Sequence, residues 1–232
     1  MSLTGQVAAA DAWSVRQLFV RRFLIRPVLI TALTATALNS LVIVAHYYAV
    51  SANGSDILLW YTVPLMLPLL IALIAIVISL PFFLIRSKRK EAINLFSVAG
   101  VYLAIGILCL SIGSKVRIRG FERLADRSRL LIAAVHRFHA DNKRPPDSLA
   151  ELVPNYLAII PNTGIAAYPK YEYVTGRQAL ENYDGNPWAV WVDTPSGGIN
   201  WDIFLYYPRQ NYPQRGHGGY LERVRDWAYV HE

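Results

Sequence analysis

Three long stretches without charge occupy the first half of the chain and restrict what it can fold into. Between Pro27 and Gly113 the only charged residues are Asp56 and the block Arg86, Lys88, Arg89, Lys90 and Glu91. Apolar runs remain at 27–50, 57–85 and 92–112, the shortest of them 21 residues. A helix of about 20 residues crosses about 30 Å of hydrocarbon. A buried helix of a soluble protein seldom runs so far without one charged face. The runs therefore predict three transmembrane helices, with the lipid bilayer as the first expected partner. The first run is too long for the apolar core of a signal peptide, and no small-x-small site follows it. It reads as a retained helix.

Lysine and arginine orient the helices. Arg16, Arg21, Arg22 and Arg26 precede the first run, the 86–90 cluster separates the second from the third, and the loop 51–56 has no basic residue. An excess of Lys and Arg marks the cytoplasmic side. The expected organisation is a cytoplasmic segment (1–26), a transmembrane domain (27–113) and an extracytoplasmic domain (114–232). Tyr47, Tyr48, Trp60 and Tyr61 flank the 51–56 loop, where amphipathic rings favour the membrane interface. One feature runs against this order: Lys115, Arg117, Arg119, Arg123, Arg127 and Arg129 follow the third run, on the side expected outside. Long domains cross largely regardless of charge, which keeps the outside assignment.

The net charge of +7 is unevenly spread. Residues 1–113 hold eight basic and three acidic side chains, and 114–232 hold fifteen and thirteen. The excess belongs mainly to the orientation signal, so no nucleic-acid partner is expected. No Asp, Glu, Lys or Arg lies within the runs, which argues against ion-coupled transport by this chain alone. Asn39 is expected to bond to a neighbouring helix, with His46 and Asn94 at interfacial positions. Pro64 and Pro68 predict a kink early in the second helix, and Pro81 one near its end. Gly100 and Ala104 are spaced to let the third helix approach a neighbour. The single cysteine, Cys109, excludes an intramolecular disulfide.

Beyond the third run the pattern becomes amphipathic. A helix over 120–141 would carry Leu124, Leu131, Val135 and Phe138 on one stripe, with Ser128 in the gap. Arg123, Arg127, Arg137 and Asp141 fall on another face. Pro145 and Pro146 end it. A short helix over 148–152 follows, with Asp147 as its expected cap, and Pro154 stops it. The period then changes to two around Tyr171–Tyr173, Trp188–Asp193, Ile203–Tyr207 and Trp227–His231. Gly, Pro and Asn separate these runs at Gly176, 185–187, 195–198 and 216–219. Four short antiparallel strands are predicted. A long helix on a small antiparallel sheet is an α+β layer arrangement.

The segment 131–161, LIAAVHRFHADNKRPPDSLAELVPNYLAIIP, resembles the globular part of type II secretion pseudopilins. The shared elements are the polar turn 141–144, the Pro-x-Ser-Leu stretch 146–149, the leucine-bearing helix 149–153 and the exit from Tyr156 to Pro161. The resemblance covers about thirty of 232 residues. It implies a pilin-like fold, on a bacterial inner membrane, working through protein–protein contact. Pseudopilins have one N-terminal helix behind a processing site. This chain has three apolar runs, and the third opens Glu91-Ala92-Ile93-Asn94 with no such site. The resemblance thus extends to the domain fold and not to processing or filament assembly. Some pseudopilins bind calcium in a late loop. Asp184, Asn186, Asp193 and Asp202 offer oxygen atoms, but in no recognised spacing, and turn-forming roles are the simpler reading.

Little else suggests chemistry. His136 and His139 lie three apart on the predicted helix, yet no third zinc ligand stands at a known spacing. His217 and His231 are isolated. No Gly-x-Ser-x-Gly, P-loop or dinucleotide fingerprint occurs. The expectation is a non-enzyme with no catalytic, cofactor-binding or metal-binding residue and no cofactor. The second half is rich in Trp and Tyr, which build either its core or an exposed binding face. Two functions follow. One is a scaffold or interaction subunit in a membrane complex. The other is a periplasmic module that holds or senses a cell-wall glycan or peptide.

Overall fold

The structure is a computed structural model that describes residues 25–198 and 200–231. Arg16, Arg21 and Arg22 lie outside the described residues. The helices are α1 (Arg26–Ala49), α2 (Ile57–Trp60), α3 (Met66–Phe82), α4 (Arg89–Asn142) and α5 (Gly176–Asn182). The strands are β1 (Glu172–Thr175), β2 (Trp188–Asp193), β3 (Ile203–Tyr206), β4 (Arg215–Gly216), β5 (Gly219–Val224) and β6 (Trp227–His231). Packing divides the chain into two units, Met1–Ile43 with Pro64–Ile112, and Val44–Val63 with Gly113–Glu232.

Arg26–Ala49, Ile57–Phe82 and Arg89–Asn142 are each long and apolar enough to cross a membrane. Large side chains such as Leu29, Ile30 and Leu33 on α1, Leu67 and Leu70 on α3, and Leu108 on α4 face outward. The second apolar run is not one even helix. It breaks after Trp60, passes through a 3-10 turn at Val63–Leu65, and ends as helix at Phe82. Pro64 falls in that turn, at the expected kink. Pro81 lies inside α3 one residue before its end, and residues 83–88 are turns instead of the helix expected to 85.

Two expectations for these helices are corrected. Asn39 is buried, but its Nδ2 donates to the Ala35 carbonyl of its own helix at 2.8 Å, because the i−4 carbonyl is always within reach. Gly100 has no atom within 4 Å of a hypothetical Cβ, and Ala104 is exposed. The close approach is at Gly106, where a side chain would run into Leu69.

The third run and the amphipathic helix were expected as separate elements. They are one helix of 54 residues. No proline or glycine pair interrupts 113–119, so nothing in the sequence stops it. In its second half Leu124, Ser128, Leu131, Val135 and Phe138 are buried as the stripe predicts, and Arg123, Arg127, Arg137 and Asp141 are exposed. The short helix after it is a 3-10 turn at Leu149–Leu152. Ser148 sits at its N-cap without a side-chain bond. Asp147 does not cap it; instead Glu151 accepts the Asp147 N–H at 3.2 Å.

The sheet has six antiparallel strands in the order β1-β2-β3-β6-β5-β4, not four. The missed pair, β4 and β5, forms a hairpin inserted between β3 and β6 in sequence and placed at the sheet edge. The Gly-rich punctuation at 216–219 is its turn, with His217 at φ 52° and Gly218 at φ 86°. Two positive φ values are what a two-residue hairpin turn demands. Glu222 and Arg223 disguised β5, yet they lie beyond the reach of the two-residue β4, and charged residues are at home on such an uncovered strand side. Gly176 does not separate strands alone; it opens α5.

Register follows the side-chain alternation. Trp191 pairs with Leu205, Phe204 with Tyr229, and Leu221 with Val230. One sheet face presents Trp188, Val190, Phe204 and Trp227 to the α4 stripe, which together make the larger core. The other face gathers Val174, Ala189, Leu205, Tyr207 and Val230 around α5. Gly120 lets α4 meet Val50 closely, since a Cβ there would collide with that valine.

Candidate functional site

The α4 stripe extends further upstream than its apolar residues show. Positions 117, 121, 124, 128, 131, 135 and 138 alternate steps of four and three, so Arg117 shares the buried face with Phe121. Arg117 is only 2 % exposed. Its Nε–H donates to the Tyr229 hydroxyl at 3.1 Å and Nη1 to the Tyr168 hydroxyl at 3.2 Å. Nη2 donates to the Thr194 carbonyl and lies 4.0 Å from Asp202 Oδ2. Each phenol donates its own O–H in turn, Tyr229 to Asp202 Oδ2 at 2.6 Å and Tyr168 to the Pro195 carbonyl at 2.8 Å. The rings of Phe121, Tyr168 and Tyr229 surround the guanidinium at 5.0 to 5.7 Å. Burial raises both phenols above their ordinary range, and the arginine charge pulls the other way. A neutral phenol is the form that can donate to Asp202 while accepting from Arg117. The network is inward-facing and offers solvent no reacting atom.

Sequence reading placed Arg117 in the basic cluster 115–129 and missed its burial. The four-three spacing upstream of Leu124 carried the signal. Two other members of that cluster also have protein partners. Arg127 donates to the Gly164 carbonyl at 2.9 Å, and Arg129 pairs with Asp126 at 2.7 Å. Much of this charge therefore serves the fold.

A second polar group lies on the opposite sheet face. The Tyr207 hydroxyl donates to Asp184 Oδ2 at 2.9 Å and meets His217 Nε2 at 2.7 Å. With its one proton on the aspartate side, the phenol accepts from His217, which places the imidazole proton on Nε2. Tyr212 stacks on Tyr207 at 4.9 Å with a 1° interplanar angle. Burial raises Tyr207 and lowers His217, with Asp184 partly offsetting the latter. A phenol raised in this way stays protonated at neutral pH. The group pins the Asp184 and His217 turns, both at positive φ.

The remaining sequence candidates are dispersed. His136 meets the Tyr206 hydroxyl at 3.2 Å beside a cleft of about 230 Å³, whose rim holds Arg129 and Arg225. Both arginines pair with Asp126. Asn186 is buried and donates to the Tyr183 carbonyl and to Asn211 Oδ1, each at 2.8 Å. Asp193 is exposed at the end of β2. Asp202 belongs to the Arg117 network. Among the described residues no group of three or more His, Cys, Asp or Glu side chains gathers as a metal site would need.

Comparison with protein families, with curated proteins and with solved structures finds no match for this chain.

Proposed function

We propose that the chain is a multi-pass bacterial inner-membrane protein that presents a pilin-like domain on the outer side, where the domain docks a protein partner within a membrane complex. One observation carries this choice over ligand binding: six of the domain's Trp and Tyr rings are spent on its core. Trp188, Trp227, Tyr168, Tyr206, Tyr207 and Tyr229 are all buried. A glycan-binding face needs such rings at the surface. The polar network of Arg117 is likewise closed on itself. On this reading the chain is not an enzyme and uses no cofactor, and its N-terminus is cytoplasmic. The pilin-like assignment is supported by the stripe of α4 lying on one sheet face, together with the 131–161 resemblance.

A second reading, a periplasmic module for a cell-wall glycan or peptide, has one observation in its favour. Tyr183 stacks on Trp191 at 5.5 Å, both half-buried, beside Asp184.

One pair of experiments separates them. A photocrosslinking residue is placed at Tyr220, an exposed ring on β5 of the edge hairpin, and at exposed Arg137 on α4. The interaction reading expects a discrete heavier adduct in native membranes at one of these faces. Muropeptides titrated onto the purified chain should leave its fluorescence unchanged. A saturable change that Trp191→Ala abolishes, with no adduct at either face, would reverse the choice.

A further inference from the structure

Trp201 is 71 % exposed, in contrast to the buried Trp188 and Trp227. It stands in the connection from β2 to β3, whose residues 194–198 and 200–202 are held in place at several points. The Thr194 N–H donates to the Asp202 carbonyl at 2.8 Å. The Ser196 N–H donates to Asn200 Oδ1 at 3.0 Å. The Tyr168 hydroxyl donates to the Pro195 carbonyl, and Arg117 to that of Thr194. A single exposed ring is ordinary by itself, and a contact surface needs a larger patch around it.

The loop's surroundings supply one. Gly197, at φ 94°, lies against the backbone of Leu59, where a Cβ would sit 2.7 Å from the carbonyl oxygen. A Cβ on Gly198, at φ 69°, would sit 3.7 Å from Val63 Cγ2. At Gly197 the tight approach and the positive φ together call for glycine, while at Gly198 the contact is an ordinary one. The loop therefore lies on the segment 59–63, which opens the second apolar run. That segment carries its own outward rings, Trp60 at 54 % and Tyr61 at 68 % exposure. Exposed Lys115 and Arg119 follow the third apolar run within about two helical turns.

We infer that Trp201 is a membrane-contact residue, its indole seated at the headgroup–acyl boundary beside Trp60 and Tyr61. The inference rests on the membrane reading proposed above. Its occupant is the phospholipid interface, where an indole buries its ring and keeps its N–H wet. The Arg117 network then has a use beyond stability, since it holds both ends of the loop that carries the indole. Trp201 would add a contact point belonging to the sheet domain to those of the three helices.

The full chain, in a Cys109→Ser background and reconstituted in phosphatidylcholine–phosphatidylglycerol nanodiscs, tests this. A nitroxide is attached in turn at Trp201→Cys, Leu67→Cys and Glu181→Cys, and its accessibility to oxygen and to a water-soluble nickel chelate is measured. The inference expects an oxygen-to-nickel ratio at Trp201 several-fold above Glu181 and below Leu67. A lipid-like Leu67 with a Trp201 as water-exposed as Glu181 would overturn the inference and leave the membrane reading standing. Protection of Trp201 from both reagents would also overturn it, by showing a protein cover. A water-like Leu67 would remove the membrane reading itself, and the inference with it. Brominated lipid provides a check without labels. Quenching of tryptophan fluorescence should be weaker in Trp201→Phe than in the parent, and equal quenching would count against the contact.

Discussion

Arg117 occupies a core position of an otherwise apolar stripe, and its tolerance depends on partners drawn from three distant segments. Tyr168, Thr194, Asp202 and Tyr229 reach it from 51 to 112 residues away. Removing one member of a buried pair leaves the other uncompensated, at a cost of about 3–5 kcal/mol. That is a large share of the about 5–15 kcal/mol that stabilises a typical domain. Arg117→Met should therefore lower the thermal midpoint of the detergent-solubilised chain markedly, and Arg117→Met with Asp202→Asn should recover part of the loss. A single variant that melts with the parent would show the network to be incidental. Histidine adds a pH dependence. His136 is lowered by burial first and by His139 second. A group with a depressed folded value contributes stability above its unfolded value, about 6.5, and loses it as pH falls through the folded value. Melts at pH 7.5 and 5.5 should show a smaller acid loss in His136→Gln than in the parent, and equal losses would contradict this. Tyrosines have the opposite sign. Tyr173, Tyr212 and Tyr229 are raised by burial, so their contribution is present below about pH 10 and declines in stronger alkali. At this scale the sequence was a poor guide. Arg117 and Arg123 look alike in a list of basic residues, and only the stripe's phase separates the buried one from the exposed one.

Elements were more legible where one period governed a long segment. The α4 stripe could be read because its apolar positions repeat over four turns against a charged face. Replacing Phe138 by Asp places a charge where that side chain is 6 % exposed and packs on Tyr156 at 5.3 Å. A loss of several kcal/mol is expected, about 3–5 from the lost ring alone. Arg137→Asp, about 100° around the helix and exposed, should be mild. Circular dichroism melts of the two variants make the comparison, and similar midpoints would mean that α4 does not lie on the sheet. Strands β2, β3 and β6 were legible by alternation. The β4–β5 hairpin was not, because β5 owes its place to pairing with β6 rather than to a buried face, and its Glu222 and Arg223 read as loop. The continuity of α4 through 113–119 was missed for another reason. The change from apolar to charged composition looks like a boundary, although backbone propensity does not change there.

For the whole molecule, composition was the most informative level. Uncharged runs longer than a bilayer's thickness can be counted without knowing any contact, and three apolar helices of that length are present among the described residues. What composition could not show is that residues 44–63 pack with the second half. That grouping depends on close approaches such as Val50 to Gly120 and Leu59 to Gly197, which have no local signature. The proposed orientation turns on the basic residues at 16–26 and 86–90, and on structural partners such as those of Arg117, Arg127 and Arg129 accounting for much of the basic charge beyond the third run. Two fusions after Glu232 test it directly. With the C-terminus outside, a fused alkaline phosphatase should be active, and a fluorescent protein that matures only in the cytoplasm should stay dark. An inactive phosphatase together with bright fluorescence would place the domain in the cytoplasm and contradict the account.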